Sequence, residues 1–335
     1  MRKPPAIREP AHVPLAHVLR GGVIEGVHYG SVVALAADGS VEFQVGDIEA
    51  AFYPGSALKP LQTVGMLRAG LELDSELLAL SAASHSGEDR HVAGALRILA
   101  TAGLGEDDLR NPPDLPYDSV LRDEWLSEGR SASRLAQNCS GKHAAMLVTT
   151  QLLGWSVEDY LDPWHPLQEE LAETVEDLTG QSIARVTVDG CGAPLFSVSL
   201  RGLAQALSRI ASAAADSAEG RVAAAMREYP EMVAGERRDV SRLMCSIPGL
   251  LAKDGFEAVQ VVALPDGRAI GVKIADGSDR ARMPVTAAAL AAIGISPSLL
   301  AEFAYAPVLA GGGAVGGLRV TGELAARAAA AATPT

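Results

Sequence analysis

Cysteine is scarce in this 335-residue chain. Cys139, Cys191 and Cys245 are too few for a disulfide framework, and a reducing compartment, the cytoplasm, is the expected location. Long apolar runs are missing as well. The longest, around Ala287 to Ile295, is about half of the ~18 residues a membrane span needs, so no membrane partner is expected. Met1 to His12 contains Pro4, Pro5 and Pro10 and some charge but no apolar stretch; it reads as a disordered arm rather than a secretory signal. Positive charge is in short supply too. Lys+Arg number 28 against 41 Asp+Glu, a formal charge of −13, which makes the chain a poor polyanion binder and excludes nucleic acid as an expected partner. Lysine is the rarer of the two bases, with five: Lys3, Lys59, Lys142, Lys253 and Lys273. Unlike arginine, lysine can shed its proton when buried, so each one in this arginine-rich background is a candidate for chemistry.

Apolar residues are plentiful. At 48% hydrophobic and 21% charged, the composition supplies a sizeable core. Strands are expected at Gly22 to Glu25, Ser31 to Ala36 and, after Ala37-Asp38-Gly39-Ser40, Val41 to Val45. Pro54-Gly55 breaks the chain, and Ser56 stands at the N-cap position of a helix over Ala57 to Leu67. Apolar residues then recur at helical spacing through Asp74 to Ala83, Glu88 to Ala102, Leu121 to Glu128, Gly141 to Leu153 and Leu167 to Leu178. Arg185 to Val188 reads as a short buried strand, followed by helices over Ser199 to Ala215 and Glu219 to Glu228. A second hairpin, Glu257 to Leu264 and Arg268 to Ile274, turns at Pro265-Asp266-Gly267. A helix over Val285 to Ile293 begins at Pro284, Gly311 to Gly317 forms a glycine-rich loop, and Leu324 to Ala332 closes the chain as a helix. β-rich ends around a helical middle give an α+β class. One antiparallel sheet is built from both termini, within a single domain over residues 13–335, and a helical subdomain of about residues 60–245 is inserted.

Several motifs fail. Ser140-Gly141-Lys142 lacks the first glycine of a P-loop and is followed by His143 instead of Ser or Thr. No G-x-S-x-G elbow, H-E-x-x-H helix or C-x-x-C pair occurs. The one G-x-G-x-x-G match, Gly311 to Gly316, leaves no room for a βαβ unit after it.

Others hold. Ser56-Ala57-Leu58-Lys59 is S-x-x-K at a helix start, where positions i and i+3 share a face and a buried lysine could take the serine proton. Ser84-His85-Ser86 and Lys253-Asp254-Gly255 follow in the order seen in penicillin-recognising serine enzymes, where a second serine motif and K-T-G come after S-x-x-K. Lys273 is a competing lysine on the next strand and reads as a strand-face residue. Cys139 and Cys191 lie in polar, glycine-containing loops. They are either buried structural thiols or part of a metal site, whereas Cys245, in an apolar stretch, reads as core.

Ser84 to His91, Asn138 to His143, Asp189-Gly190-Cys191, His165 to Gln168 and Pro230 to Glu236 together resemble the rhizobial-type, thermolabile L-asparaginase family, in unbroken order from about Gly21 onwards. That resemblance implies a fold similar to serine β-lactamases, penicillin-binding proteins and glutaminases. It implies two Ser-Lys pairs, Ser56 with Lys59 and Ser84 with Lys253, and a zinc ion held by Cys139, Lys142 and Cys191. It also implies a substrate site containing Asp189 and His143, and a homodimer. One position departs: members of the family commonly carry Arg before the S-x-x-K serine, and this chain has Gly55. The expected activity is conversion of L-asparagine to L-aspartate and ammonia, with Ser56 as nucleophile, Ser84 and Lys253 relaying protons, and zinc positioning the substrate. The alternatives are a glutaminase, a β-lactamase or peptidase on the shared Ser/Lys scaffold, or a non-catalytic zinc or amino-acid binding protein.

Overall fold

A computed structural model describes residues 8–331. Among these residues the strands are β1 (Val13–Arg20), β2 (Val23–Leu35), β3 (Val41–Val45), β4 (Val186–Val188), β5 (Pro194–Phe196), β6 (Leu251–Gly255), β7 (Val259–Ala263), β8 (Ala269–Ile274), β9 (Pro307–Ala310) and β10 (Gly313–Val320). Eight of them form one antiparallel sheet in the order β6-β7-β8-β2-β1-β10-β9, with β3 also paired to β2; β4 and β5 make a separate hairpin. The central strand β2 is long enough to serve three partners, with Val32 to Leu35 also pairing with β3. Val23 to Gly30 pairs with β1, and Gly30 to Leu35 pairs with β8. Strands from both ends of the chain thus share one sheet, and the helices between β3 and β6 form the insertion, as expected for the α+β class.

Successive strand residues face opposite sides of a sheet. Val32, Val33, Ala34 and Leu35 on β2 are all fully buried, so this part of the sheet is covered on both faces. Helix Leu200–Ala211 packs on β2, β7 and β8, while helices Asp279–Ala292 and Gly322–Ala331 pack against one another and reach β8, β10 and β1.

The structure corrects several local expectations. Val13–Arg20, for which the sequence reading gives no element, forms a strand, and a bulge between Pro14 and Ala16 accommodates Pro14. Gly311 to Gly317 is not a loop throughout: a turn leads into β10, whose glycines allow close approach, since a Cβ on Gly316 would lie 1.9 Å from the Leu19 carbonyl oxygen. Pro284 lies inside its helix, which starts at Asp279. Arg185 to Val188 is exposed rather than buried, and so is Cys245, on the outer side of helix Asp239–Ser246. Within the expected disordered arm, residues 1–7 lie outside the described residues. Arg8 pairs with Asp47 at 2.7 Å and His12 Nδ1 is 2.9 Å from Ser31 Oγ, which fastens Arg8 to His12 onto the sheet. No helix among the described residues is long and apolar enough to cross a membrane.

Candidate active site

Ser56 does not cap a helix. It sits within a 3₁₀ turn, Gly55–Leu58, that runs directly into the helix Lys59–Arg68. Gly55 takes φ +55°, a left-handed conformation that favours glycine, and β6 closes on this turn from the other side. The approach leaves no space: a Cβ on Gly255 would lie 2.0 Å from the Pro54 carbonyl oxygen. The glycine of Lys253-Asp254-Gly255 is thus a packing requirement that brings Lys253 beside the S-x-x-K turn.

The loop carrying Ser84 is held by backbone hydrogen bonds from two sides. Ser84 N donates to Val233 O at 2.9 Å, Ser86 N to Ala234 O at 2.7 Å, and His85 N to Asn138 O at 3.0 Å. Three sequence strings that lie far apart along the chain meet here. His85 braces the loop through Ser140 Oγ, 2.8 Å from its Nε2, and stacks on His91 with ring centres 4.9 Å apart.

Three lysines are buried at the centre of the molecule. Lys253 Nζ donates to Ser84 Oγ at 2.9 Å, to Asp254 O at 2.8 Å and to Asp254 Oδ1 at 2.7 Å. Lys59 Nζ donates to Ser84 Oγ at 3.1 Å, to Ala83 O at 2.5 Å and to Cys139 Sγ at 3.0 Å. Ser56 is not among these acceptors. The pairing expected from i,i+3 spacing is replaced by a different one: Lys59 joins Lys253 on Ser84. The third, Lys142, donates to Cys191 Sγ at 3.2 Å.

Ser56 and Ser84 nevertheless line the same cavity, of about 90 Å³, together with Tyr117, Asn138, Arg238, Asp254 and the tip of the β6–β7 hairpin. Arg238 reaches the cavity from the loop after Gly235. Its guanidinium donates to Asp254 Oδ2 at 2.5 Å and to Ser84 O at 3.3 Å, and stacks over the Tyr117 ring at 4.6 Å. Position 55 carries no guanidinium here; the one lining the cavity comes from Arg238. Nothing in the local sequence marks Arg238, whereas Asp254 stood visible beside Lys253.

Burial pushes the Lys253 ammonium down to about 8, against Asp254, which favours the charged form. Burial pushes Asp254 upward, but Lys253, Arg238 and Arg282 outweigh it and hold the carboxyl far below the usual range.

On the far side of Lys59, Cys139 and Cys191 pack together with Ala193. The hydrogen bond from Cys139 draws the Cys191 thiol down to about 6, with burial opposing and Lys142 assisting, and the same bond pushes Cys139 up. Burial disfavours the Lys142 ammonium, but Cys191, Cys139 and Asp189 hold its pKa above the ordinary value. Asp189 Oδ2 is 3.6 Å from Cys191 Sγ; burial raises its carboxyl, and Lys142 and Lys59 bring it below the ordinary value. His143 is fully buried, with Nδ1 2.8 Å from the Tyr160 hydroxyl and Nε2 without a partner. Asp189 and His143 do not line the serine cavity; they belong to the cysteine side of the cluster. No group of three or more His, Cys, Asp or Glu side chains suited to a metal converges among the described residues, so a metal held by both thiols would need Lys142 as a further donor.

The family described as L-asparaginase II matches residues 16–320. No curated protein matches the chain. Among solved structures, similarity extends to a β-lactamase from Mycobacterium bovis (13% identity over 78% of this chain and 94% of that one, TM-score 0.44). It extends also to a Bacillus subtilis glutaminase in covalent complex with 5-oxo-L-norleucine (14%, 73% and 79%, TM-score 0.31). A third is the protein Mglu (16% identity over 76% of this chain, TM-score 0.41), of whose length the match spans 58%. These overlaps are partial, and the architecture rests on the strand order above.

Proposed function

The chain belongs to the L-asparaginase II family, and from that premise we propose that it is an amidohydrolase converting L-asparagine to L-aspartate and ammonia. The observation that carries the mechanism is Ser84 Oγ held between the amines of Lys59 and Lys253, in a cavity it shares with Ser56. A serine oxygen has two lone pairs. Those of Ser84 accept from two lysines, which suits a proton relay and leaves neither free to attack a carbonyl while both amines are protonated. Ser56 has no such commitment, is partly exposed, and is proposed as the nucleophile. Its activation requires Lys59 to pass a proton through Ser84 to a neutral Lys253 and to turn the freed lone pair to the Ser56 hydroxyl, one turn away; such contacts commonly tighten only when substrate is bound. The Ser56 oxygen then forms a bond to the side-chain carbonyl carbon as its proton passes to the neutral Lys59 amine, and the carbon–nitrogen bond breaks as the Lys59–Ser84–Lys253 chain gives a proton to the departing ammonia. Water cleaves the ester and regenerates Ser56.

Cys139, Lys142 and Cys191 fit a zinc ion by chemistry, with two touching thiols and an amine in contact with one of them. Bound there, zinc would supply a fixed positive charge for orienting substrate, and Lys142 would donate as the neutral amine. Asp189 suits the α-ammonium of an amino acid, and the unpartnered Nε2 of His143 can hydrogen-bond a polar group of the ligand. We further propose a cytoplasmic homodimer, which sedimentation of the purified protein tests. The central experiment is ammonia release from asparagine, with glutamine and a chromogenic β-lactam alongside. Release from asparagine at the highest kcat/KM is expected. Tight asparagine binding without ammonia release would make the chain a binding protein instead.

A further inference from the structure

The hairpin between β6 and β7 closes in three residues, Phe256, Glu257 and Ala258, between the paired Gly255 and Val259. Glu257 and Ala258 have φ +60° and +53° and are the only non-glycine residues at positive φ among those described. Consecutive left-handed residues in a tight hairpin suit Asn-Gly or Gly-Gly, and L side chains there are strained. The strain lies against the reactive serines. Phe256 and Glu257 line the cavity beside Ser56, and the Phe256 amide nitrogen would lie 3.2 Å from a Cβ placed on Gly55. Strained backbone of this kind persists only where the surroundings hold it.

The hold comes from Lys273, on β8 opposite Val259. Its Nζ donates to Glu257 O at 2.5 Å and to Ile274 O at 2.7 Å, while the stem lies partly buried. Lys273 touches neither serine and does not line their cavity. Two further contacts complete the seat. Ile274 N donates to Ala258 O at 3.1 Å, and the Glu257 carboxylate packs against Gly277, where a Cβ would come within 2.1 Å of it.

We propose that Lys273 is a positioning residue that holds the strained Phe256–Glu257–Ala258 tip in place, so that Phe256 and Glu257 form the specificity-determining wall of the serine cavity. The inference rests on the proposed amidohydrolase reading for its substrate. The wall limits the length of side chain that fits over Ser56, so it governs discrimination between asparagine and glutamine, which is one methylene longer. A methylene misfit changes kcat/KM by roughly 10- to 200-fold in known pockets.

The test compares wild type with Lys273→Met, Lys273→Arg, Ala258→Gly and the double variant Lys273→Met/Ala258→Gly. Ala258 does not line the cavity, so its glycine variant relieves strain without altering the wall. Hydrogen exchange over residues 251–263 reads the tip without any substrate, and kcat and KM for asparagine and glutamine read the wall. Lys273→Met is expected to speed exchange at the tip and to change the asparagine-to-glutamine ratio of kcat/KM about tenfold, mainly through KM. Lys273→Arg and the double variant are expected to recover most of both. Unchanged exchange at the tip in Lys273→Met overturns the proposal, as does a faster-exchanging tip with an unchanged substrate ratio. If Lys273→Met does not fold, Ala258→Gly decides by itself: a tip that exchanges no more slowly than in wild type overturns the claim of strain. If wild type releases ammonia from neither amide, the functional reading fails, and the exchange data still decide whether Lys273 holds the tip.

Discussion

Ser84 and Ser56 differ in what surrounds each oxygen, and the roles proposed for them rest on that difference. Ser84 Oγ accepts from two lysines, whereas Ser56 Oγ is free to turn into the cavity. Ser56→Ala is therefore expected to abolish any covalent adduct trapped by quenching with substrate. Ser84→Ala should slow turnover by ~10²–10⁴-fold yet still form the adduct. Mass spectrometry of the quenched variants checks both, and an adduct on Ser84 in the Ser56→Ala protein would reverse the assignment. Lys253 gives a second prediction at this scale. Burial brings it down to about 8, so a relay that needs its neutral amine makes kcat/KM rise with pH through that region. Asp254 favours the protonated amine, so Asp254→Asn lowers the Lys253 pKa further and moves the rising limb to lower pH. A pH profile of the two proteins tests this; a limb that stays in place would remove Lys253 from the rate-controlling proton transfer.

Strand β6 carries Lys253 into the site only because Gly255 lets it press on the 3₁₀ turn holding Ser56. Gly255→Ala would drive a methyl into the Pro54 carbonyl, with an expected cost of ~1–3 kcal/mol and displacement of both Lys253 and Ser56. Thermal unfolding and kcat/KM should fall together, and an unaffected kcat/KM would show that the turn tolerates the shift. Most helices of the insertion were legible from apolar spacing. The helix starting at Pro166 is capped by His165, whose Nδ1 accepts from Leu167 N at 3.1 Å. The elements that the sequence does not reveal are those whose form depends on a neighbour. β1, unmarked in the sequence, contains a proline that a bulge absorbs, and β10 looks like a loop because its glycines serve close strand contact.

At the scale of the whole molecule, Lys59 links two chemistries by touching both Ser84 and Cys139. Removing the proposed zinc by chelation is expected to raise KM more than it lowers kcat, because the metal is proposed to orient substrate while Ser56 is proposed to make the bond. Steady-state kinetics before and after chelation, with zinc restored as control, measures the split; a fall in kcat at constant KM would assign zinc to the chemical step. The sequence by itself determined the α+β class and the family, because these reside in composition, local periodicity and contiguous strings, and it offered Ser56, Lys59, Ser84 and Lys253 as the candidate reactive side chains. The partner of each lysine was decided only by the tertiary structure. Spacing of three residues makes a contact between Ser56 and Lys59 available, but a buried ammonium turns to whichever acceptors the fold supplies. Here these are Ala83 O, Ser84 and Cys139, 24, 25 and 80 positions along the chain. The same holds for Arg238, which no motif marks and which reaches the cavity because the loops around Ser84 and Val233 pack together.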